Sequence, residues 1–257
     1  MKKITLLFCA LLGLSIFANA QKEGEVIFKE KVKIQITLPE DSPITKAQLE
    51  KMMPPEQTSK SVLYFNESAT LYTALKGEEP HEQEFSSEEG GMRIKMRFAG
   101  TDAENTTYLN LAKETLIEKQ DFMGKTFLVQ DKDPKLPWKL GTERKKILDY
   151  NCTKATAEID DRTVEAWFTT ELPIASGPGS YFGLPGMILE VHSKGENGSR
   201  TLVAQEVNFK ILEKGTIVAP KKGKKVSSEE FSKIVEEKTK EMQEQMGGGG
   251  NRIIIRG

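Results

Sequence analysis

Cysteine, histidine and tryptophan each occur only twice in this 257-residue chain, and neither charge sign dominates it. Thirty-seven basic side chains stand against 38 acidic ones, a formal net charge of −1. That balance argues against a nucleic-acid binder, which normally presents a net basic face. Beyond residue 20 no apolar run approaches the roughly 18 residues that a membrane-spanning helix needs. With two cysteines a disulfide framework is excluded, and with two histidines an imidazole base has only His81 or His192 to come from.

What is present begins with an export pattern. Lys2 and Lys3 precede an apolar stretch from Ile4 to Phe17, and Ala18-Asn19-Ala20 supplies small residues for cleavage. Residues 1–20 therefore read as a signal peptide, which predicts a periplasmic or secreted protein without a lipid anchor. Its removal leaves 257 − 20 = 237 residues with a formal charge of 35 − 38 = −3. It also removes Cys9, so Cys152 has no internal disulfide partner. A lone thiol of this kind reads first as a small buried hydrophobe; an intermolecular disulfide, a metal thiolate and a nucleophile are the other readings.

The mature chain alternates with a period of two. Val26, Phe28, Val32, Ile34, Ile36 and Leu38 share one parity, with Lys29, Lys31, Lys33 and Gln35 between them, which predicts a half-buried strand long enough to curve or bulge. A short helix is expected after it, entered at Pro43 and ended by Pro54-Pro55. Residues 61–66 and 69–75 read as a hairpin, 77–91 as an exposed loop, and Met92–Phe98 as a strand with one basic face. Further strand-like runs recur at 107–112, 115–119, 125–130, 138–140, 146–152, 163–169, 187–193 and 202–212. Strands at this spacing without intervening helices predict an antiparallel meander.

The last part changes character. Residues 221–225 form a basic linker, and Ser227 with Glu230 makes a capping box. Phe231, Ile234, Val235, Lys238, Met242 and Met246 then line one side of a helix. Four glycines at 247–250 precede Arg252-Ile253-Ile254-Ile255-Arg256. The sequence thus divides into a signal peptide (1–20), a β domain (21–220), a linker with an amphipathic helix (221–246) and a strand-like tail (247–257). The predicted fold is mainly β: one large curved antiparallel sheet, half-barrel or sandwich-like, with one short helix near the N-terminus and one C-terminal helix.

Catalytic constellations are scarce. No nucleophile elbow, phosphate-binding glycine loop or zinc ligand set is present, so no catalytic residue and no cofactor is assigned. Alternation along Met187–Ser193 puts Ile188, Glu190 and His192 on one face. A Glu–His pair two apart on a strand can share a proton or hold a metal, but it reads first as a solvated outer face. His81 sits in an acidic stretch. The eight methionines of the mature chain, with Cys152, raise a copper(I) reading, although their placement on apolar stripes fits core filling.

Two proline-glycine segments, Ser176-Gly177-Pro178-Gly179 and Leu184-Pro185-Gly186-Met187, each suit a type II turn and bracket Tyr181-Phe182. Gly183-Leu184-Pro185-Gly186-Met187-Ile188 resembles the motif that names the GLPGLI family, exported proteins of Gram-negative bacteria. Trp138, Lys146-Ile147, Tyr150, Cys152, Lys154-Ala155, Ala166-Trp167-Phe168-Thr169, Pro173-Ile174 and Gly177-Pro178 follow the family's order. The resemblance is specific over about 138–192, and it implies no catalytic residue, since the family carries no assigned activity.

The expectation is a non-enzymatic envelope protein that binds an apolar ligand or a protein partner, with Trp167, Phe168, Tyr181, Phe182 and Pro185 as the ligand-binding rim. The alternatives are copper or zinc handling through Cys152, His192 and one or more methionines, and assembly through the C-terminal strand. That strand could equally pair with the protein's own sheet edge.

Overall fold

The computed structural model describes residues 23–35, 56–75, 82–86, 93–97, 105–132, 136–159, 161–196 and 198–246. The signal peptide and the 247–257 tail lie outside the described residues. Among these residues there are fourteen strands and one helix: β1 (Gly24–Ile34), β2 (Glu56–Phe65), β3 (Ala69–Ala74), β4 (Glu82–Ser86), β5 (Arg93–Arg97), β6 (Thr106–Asn110), β7 (Thr115–Phe122), β8 (Lys125–Lys132), β9 (Lys139–Ile147), β10 (Tyr150–Ile159), β11 (Arg162–Thr169), β12 (Met187–Gly195), β13 (Gly198–Phe209), β14 (Lys224–Val226) and α1 (Ser228–Met246).

Twelve strands form one hydrogen-bonded sheet in the order β14-β8-β7-β6-β3-β2-β1-β13-β12-β11-β10-β9. β1 is the junction. It pairs antiparallel with β2 on one side and with β13 on the other, with a register shift at Ile27/Phe28 against β13. Its even-numbered apolar residues explain the position: Val26 and Phe28 are fully buried. Leu63, Phe65 and Tyr72 pack with them in a core that also takes in Ala204, Leu189 and Met187.

The topology requires curvature. β8 and β9 are consecutive in the chain yet ten positions apart in the sheet. In a flat sheet that separation would be about 48 Å. The residues between them, 133–138, reach at most about 25 Å when fully extended. The sheet is therefore curled, and Trp138 shows how: its indole Nε1 donates to the Phe182 carbonyl at 2.8 Å. Phe182 in turn packs on Leu109 of β6 and Leu116 of β7.

Several expectations are corrected. Among the described residues there is a single helix, α1, so the architecture is a sheet with one helix and not two. The segment expected to form the N-terminal helix falls on 36–55, outside the described residues. The 77–91 stretch is not all loop, because β4 pairs with β5 in a separate two-stranded sheet whose register sets Glu82 opposite Arg97 and Glu84 opposite Lys95. The run 146–152 is broken by a tight turn at Leu148-Asp149, Leu148 taking a φ of 52°. Part of the basic linker becomes β14, which pairs parallel with β8, an exception to the antiparallel meander.

The helix start is as the sequence predicts. Ser227 N donates to Glu230 Oε2 at 2.9 Å and Glu230 N to Ser227 Oγ at 3.1 Å, a reciprocal cap. Phe231 and Ile234 pack against Phe122, Phe127, Val129 and Val226, which docks the first turns of α1 on β8.

Candidate functional site

The connection from β11 to β12, residues 170–186, crosses the sheet and is pinned at both ends. Met187 N donates to Leu172 O at 2.9 Å and Ile188 N to Ser176 O at 2.9 Å, while Ser176 and Thr70 hydroxyls meet at 2.9 Å. Leu172 and Ile174 enter one core cluster, and Leu184 enters another with Phe168, Ile188 and Leu202. The turns differ from the type II expectation. Gly186 N bonds Leu184 O at 2.7 Å, a tight turn centred on Pro185, because Met187 N is already committed to Leu172. The first bend runs over Pro178–Tyr181 with Gly179 at a φ of 62°.

The five expected rim residues part company here. Phe168 and Phe182 are buried in the core at 4% and 9% exposure, and Trp167 is buried at 6%. Tyr181 is half-buried and Pro185 exposed. The arrangement does not bring the five together as one exposed aromatic rim.

What the loop does cover is polar. Glu30, on the inward parity of β1, is 3% exposed, and its Oε1 accepts a 2.6 Å hydrogen bond from Arg200 Nε of β13. Arg200 keeps 34% of its side chain exposed against 4% for Glu30, so the pair has an outer and an inner member. Ser193 of β12 is the cross-strand partner of Arg200. Glu30 Oε2 and Ser193 Oγ are both buried without a hydrogen-bond partner among the described residues.

Other polar groups face the same region. Ser61 Oγ donates to the Tyr72 hydroxyl at 2.5 Å. Burial, with the Glu30 charge, pushes the Tyr72 phenol up to about 12 against the opposing pull of Arg200 and Ser61. Burial and Asp131 raise the Glu118 carboxyl, against a hydrogen bond from Ser180 and the Arg200 charge. Burial opposes the charge of Arg200, but Glu30 and the phenols of Tyr72 and Tyr181 outweigh it and raise its pKa. Tyr181 and Ser180 thus bring the loop within electrostatic reach of Tyr72, Glu118 and Arg200.

Sequence reasoning missed the Glu30–Arg200 pair, though a signal existed. Glu30 is a carboxylate in an otherwise apolar inward series, Val26-Phe28-Glu30-Val32, where a charge must have a partner.

The opposite face of β9–β13 carries a second polar group. Lys145 Nζ bonds Glu190 Oε1 at 2.7 Å and stands 4.3 Å from the Trp167 ring centre. His192 Nε2 shares that Glu190 oxygen, and its Nδ1 meets Thr201 Oγ1 at 3.1 Å. Lys154 bonds Glu165 at 2.8 Å, and Trp167 Nε1 donates to Glu165 at 2.9 Å. Burial opposes ionisation of Glu165, but these two donors hold its carboxyl below the usual range. Glu190 is 8% exposed, which corrects the reading of a freely solvated Glu–His face. Cys152 is fully buried opposite Lys145, on a strand that does not meet His192. No grouping of three His, Cys, Asp or Glu able to hold a metal occurs among the described residues. His81 lies outside them.

The described residues thus form a β protein built on one large curled sheet, with a charge pair whose carboxylate is buried. A family model described as a protein of unknown function (Porph_ging) matches residues 156–190, the stretch that holds the Gly183–Ile188 motif. Among solved structures, PNGF-II in the P21 space group aligns with a TM-score of 0.51 and 17% identity, over 83% of this chain and 33% of that one. PNGF-II in the C2 space group aligns at 0.48 and 16%, over 81% and 32%. The chain therefore spans about a third of the length of these structures. The likeness is one of fold, and it lends no support to the expectation that the chain is not an enzyme. No curated protein matches. Among the described residues no helix is long and apolar enough to cross a membrane.

Proposed function

We propose that the mature chain is an exported, non-enzymatic binding protein whose ligand lies in the cleft beneath residues 170–186. The observation that carries this reading is the clustering of orphaned polar atoms. Glu30 is bonded to Arg200 through its other oxygen and Ser193 is the cross-strand partner of Arg200, and a buried carboxylate oxygen without a partner costs free energy that a bound polar group recovers. The ligand is therefore small and polar, where the sequence suggested an apolar one. Apolar space under the loop is already filled by Leu172, Ile174, Phe182 and Leu184.

Binding in place of chemistry is favoured by what faces the cleft. Glu30 is held by Arg200, and His192 and Cys152 project from other parts of the sheet. The metal reading has no support in the placement of Cys152, whose thiol burial pushes up to about 11, away from the thiolate that a metal needs. Assembly through the C-terminal strand concerns residues outside those described.

The test is native mass spectrometry of residues 21–257 recovered from the periplasm without detergent. The expected spectrum carries an added mass of a few hundred daltons or less, lost in Ser193→Ala. A bare chain, together with a melting temperature unmoved by the low-molecular-weight ultrafiltrate of a cell extract, would falsify the reading.

A further inference from the structure

Apart from the region beneath the crossing connection, we infer that the chain carries a second binding site, a groove at the β9–β10 turn that takes one neutral sugar ring. The groove measures about 290 Å³ and is lined by Leu148, Asp149, Tyr150, Glu206, Val207 and Asn208. That is close to the lower end of the ~300–1,000 Å³ clefts that hold small molecules, room for a single ring.

Its origin lies in unequal strand lengths. β10 begins at Tyr150, ahead of its first pairing with β11 at Thr153↔Phe168, and β13 runs on to Phe209, beyond its pairing with β12 at Glu190↔Val203. Between these overhangs β11 gives way to residues 170–186, which return to the sheet at Met187. Tyr150 and Val207 both pack on the core cluster that contains Leu172 and Ile174, which closes the floor. Glu171 Oε1 accepts from Asn151 N at 3.0 Å and from Asn151 Nδ2 at 2.9 Å, tying the overhanging end of β10 to that connection.

Leu148 is a residue that folding alone does not call for. The two-residue turn between Ile147 and Tyr150 holds it at a φ of 52°, a left-handed backbone that Asn or Gly adopts at lower cost, and it is 42% exposed. A strained backbone that presents a large apolar side chain at the lip of a groove supplies a contact surface for a ligand.

The lining selects that ligand. None of the six residues is basic and two are carboxylates, so an anion is repelled. A wholly apolar ligand would strip water from Asp149 and Glu206 without replacing it. An ammonium supplies donors only, and Asn208 brings donors of its own. Asn208 Nδ2 donates to Glu206 Oε2 at 3.3 Å, so amide and carboxylate stand side by side and offer acceptors and an N–H together. A sugar hydroxyl both donates and accepts, and neighbouring hydroxyls on one ring meet such a pair. The C–H face of the ring then covers Leu148, Val207 and the Tyr150 ring.

The experiment records amide correlation spectra by NMR, and melting curves, for residues 21–257. The probes are the methyl glycosides of glucose, galactose, mannose and N-acetylglucosamine, with 1,4-diaminobutane as the cation. At tens of millimolar, at least one glycoside should shift the amides of 148–150 and 206–208 and leave those of Glu30, Ser193 and Arg200 in place. Asn208→Ala should weaken its binding roughly three- to tenfold, the fold-change of one lost hydrogen bond. Leu148→Asn should melt no lower than the wild type, because Asn takes a left-handed backbone readily, yet bind the glycoside about threefold more weakly or worse. Unchanged glycoside affinity in both variants overturns the site. Shifts at 148–150 and 206–208 caused by diaminobutane alone, or by none of the probes, overturn the sugar assignment. Shifts confined to Glu30, Ser193 and Arg200 do the same while supporting the cleft beneath 170–186, so the two readings fail separately.

Discussion

Cys152 illustrates how burial decides chemistry at the level of one side chain. Its sulfur is fully buried, and its thiol pKa is pushed up from 9 to about 11 by desolvation. It should therefore resist iodoacetamide at pH 8 in the native chain and react rapidly once the chain is denatured. Rapid native labelling would show an open, activated thiol. The buried Tyr72 phenol is raised in the same sense, from 10 to about 12. Both groups hold their protons more tightly folded than unfolded, so the stability they contribute is complete below pH 9. It is lost as pH rises through 11 and 12, by roughly 2–3 kcal/mol for each group. Melting temperature should fall steeply over that window, and Cys152→Ala should flatten its lower half while imposing a constant loss at all pH values. Glu30 shows what a single residue could have disclosed beforehand: its parity with Val26 and Phe28 is legible in the sequence. That it meets Arg200, 170 positions away, is not, since local alternation carries no information about distant partners.

Within the 170–186 connection, two glycines of one short motif do different work. A Cβ on Gly186 would lie 2.0 Å from Thr169 O, and the residue has a φ of 150°. Gly183 has a φ of 88° but nothing within 4 Å of the added carbon. Gly183→Ala should thus cost about 1 kcal/mol, the penalty for a left-handed backbone alone. Gly186→Ala adds a backbone collision and should cost about 3 kcal/mol or more. For a chain of this size that corresponds to melting shifts of roughly 2–4 °C and 6–12 °C. Equal losses would mean that backbone conformation alone governs both positions. The position of the turns could be read from Pro and Gly; their type could not. It is set by Met187 N turning to Leu172 O, a contact between the two ends of the loop. Likewise 224–226 reads as a basic linker because three residues show no period, and only the neighbouring edge of β8 makes a strand of them.

At the scale of the whole molecule the alternation of strands was plain, while their order was not. Most neighbours in the sheet are neighbours in sequence, joined by hairpins that turn chemistry can announce. Of the three exceptions, β14 against β8, β3 against β6 and β1 against β13, the last holds the two halves of the sheet together across more than 160 residues, from Gly24↔Phe209 to Ile34↔Gly198. Removing it should be disproportionate. A chain ending at residue 197 retains β1–β12 but, with β13, β14 and α1 gone, leaves one full side of β1 and of β12 without its ladder, and should lose cooperative melting altogether. A chain that melted as sharply as the full protein would show that the two halves fold independently.

That central pairing also imposes an order in time. A polypeptide emerges from the ribosome, or from a translocation channel, with its N-terminus first, so the strand that appears earliest must wait for one of the last before its second edge is covered. Such distant pairings carry a large loop-closure cost and slow folding. On the export reading proposed above the delay has a use: as long as residues 198–209 remain behind, β1 lacks its second partner, and the two halves of the sheet cannot join before most of the chain has crossed.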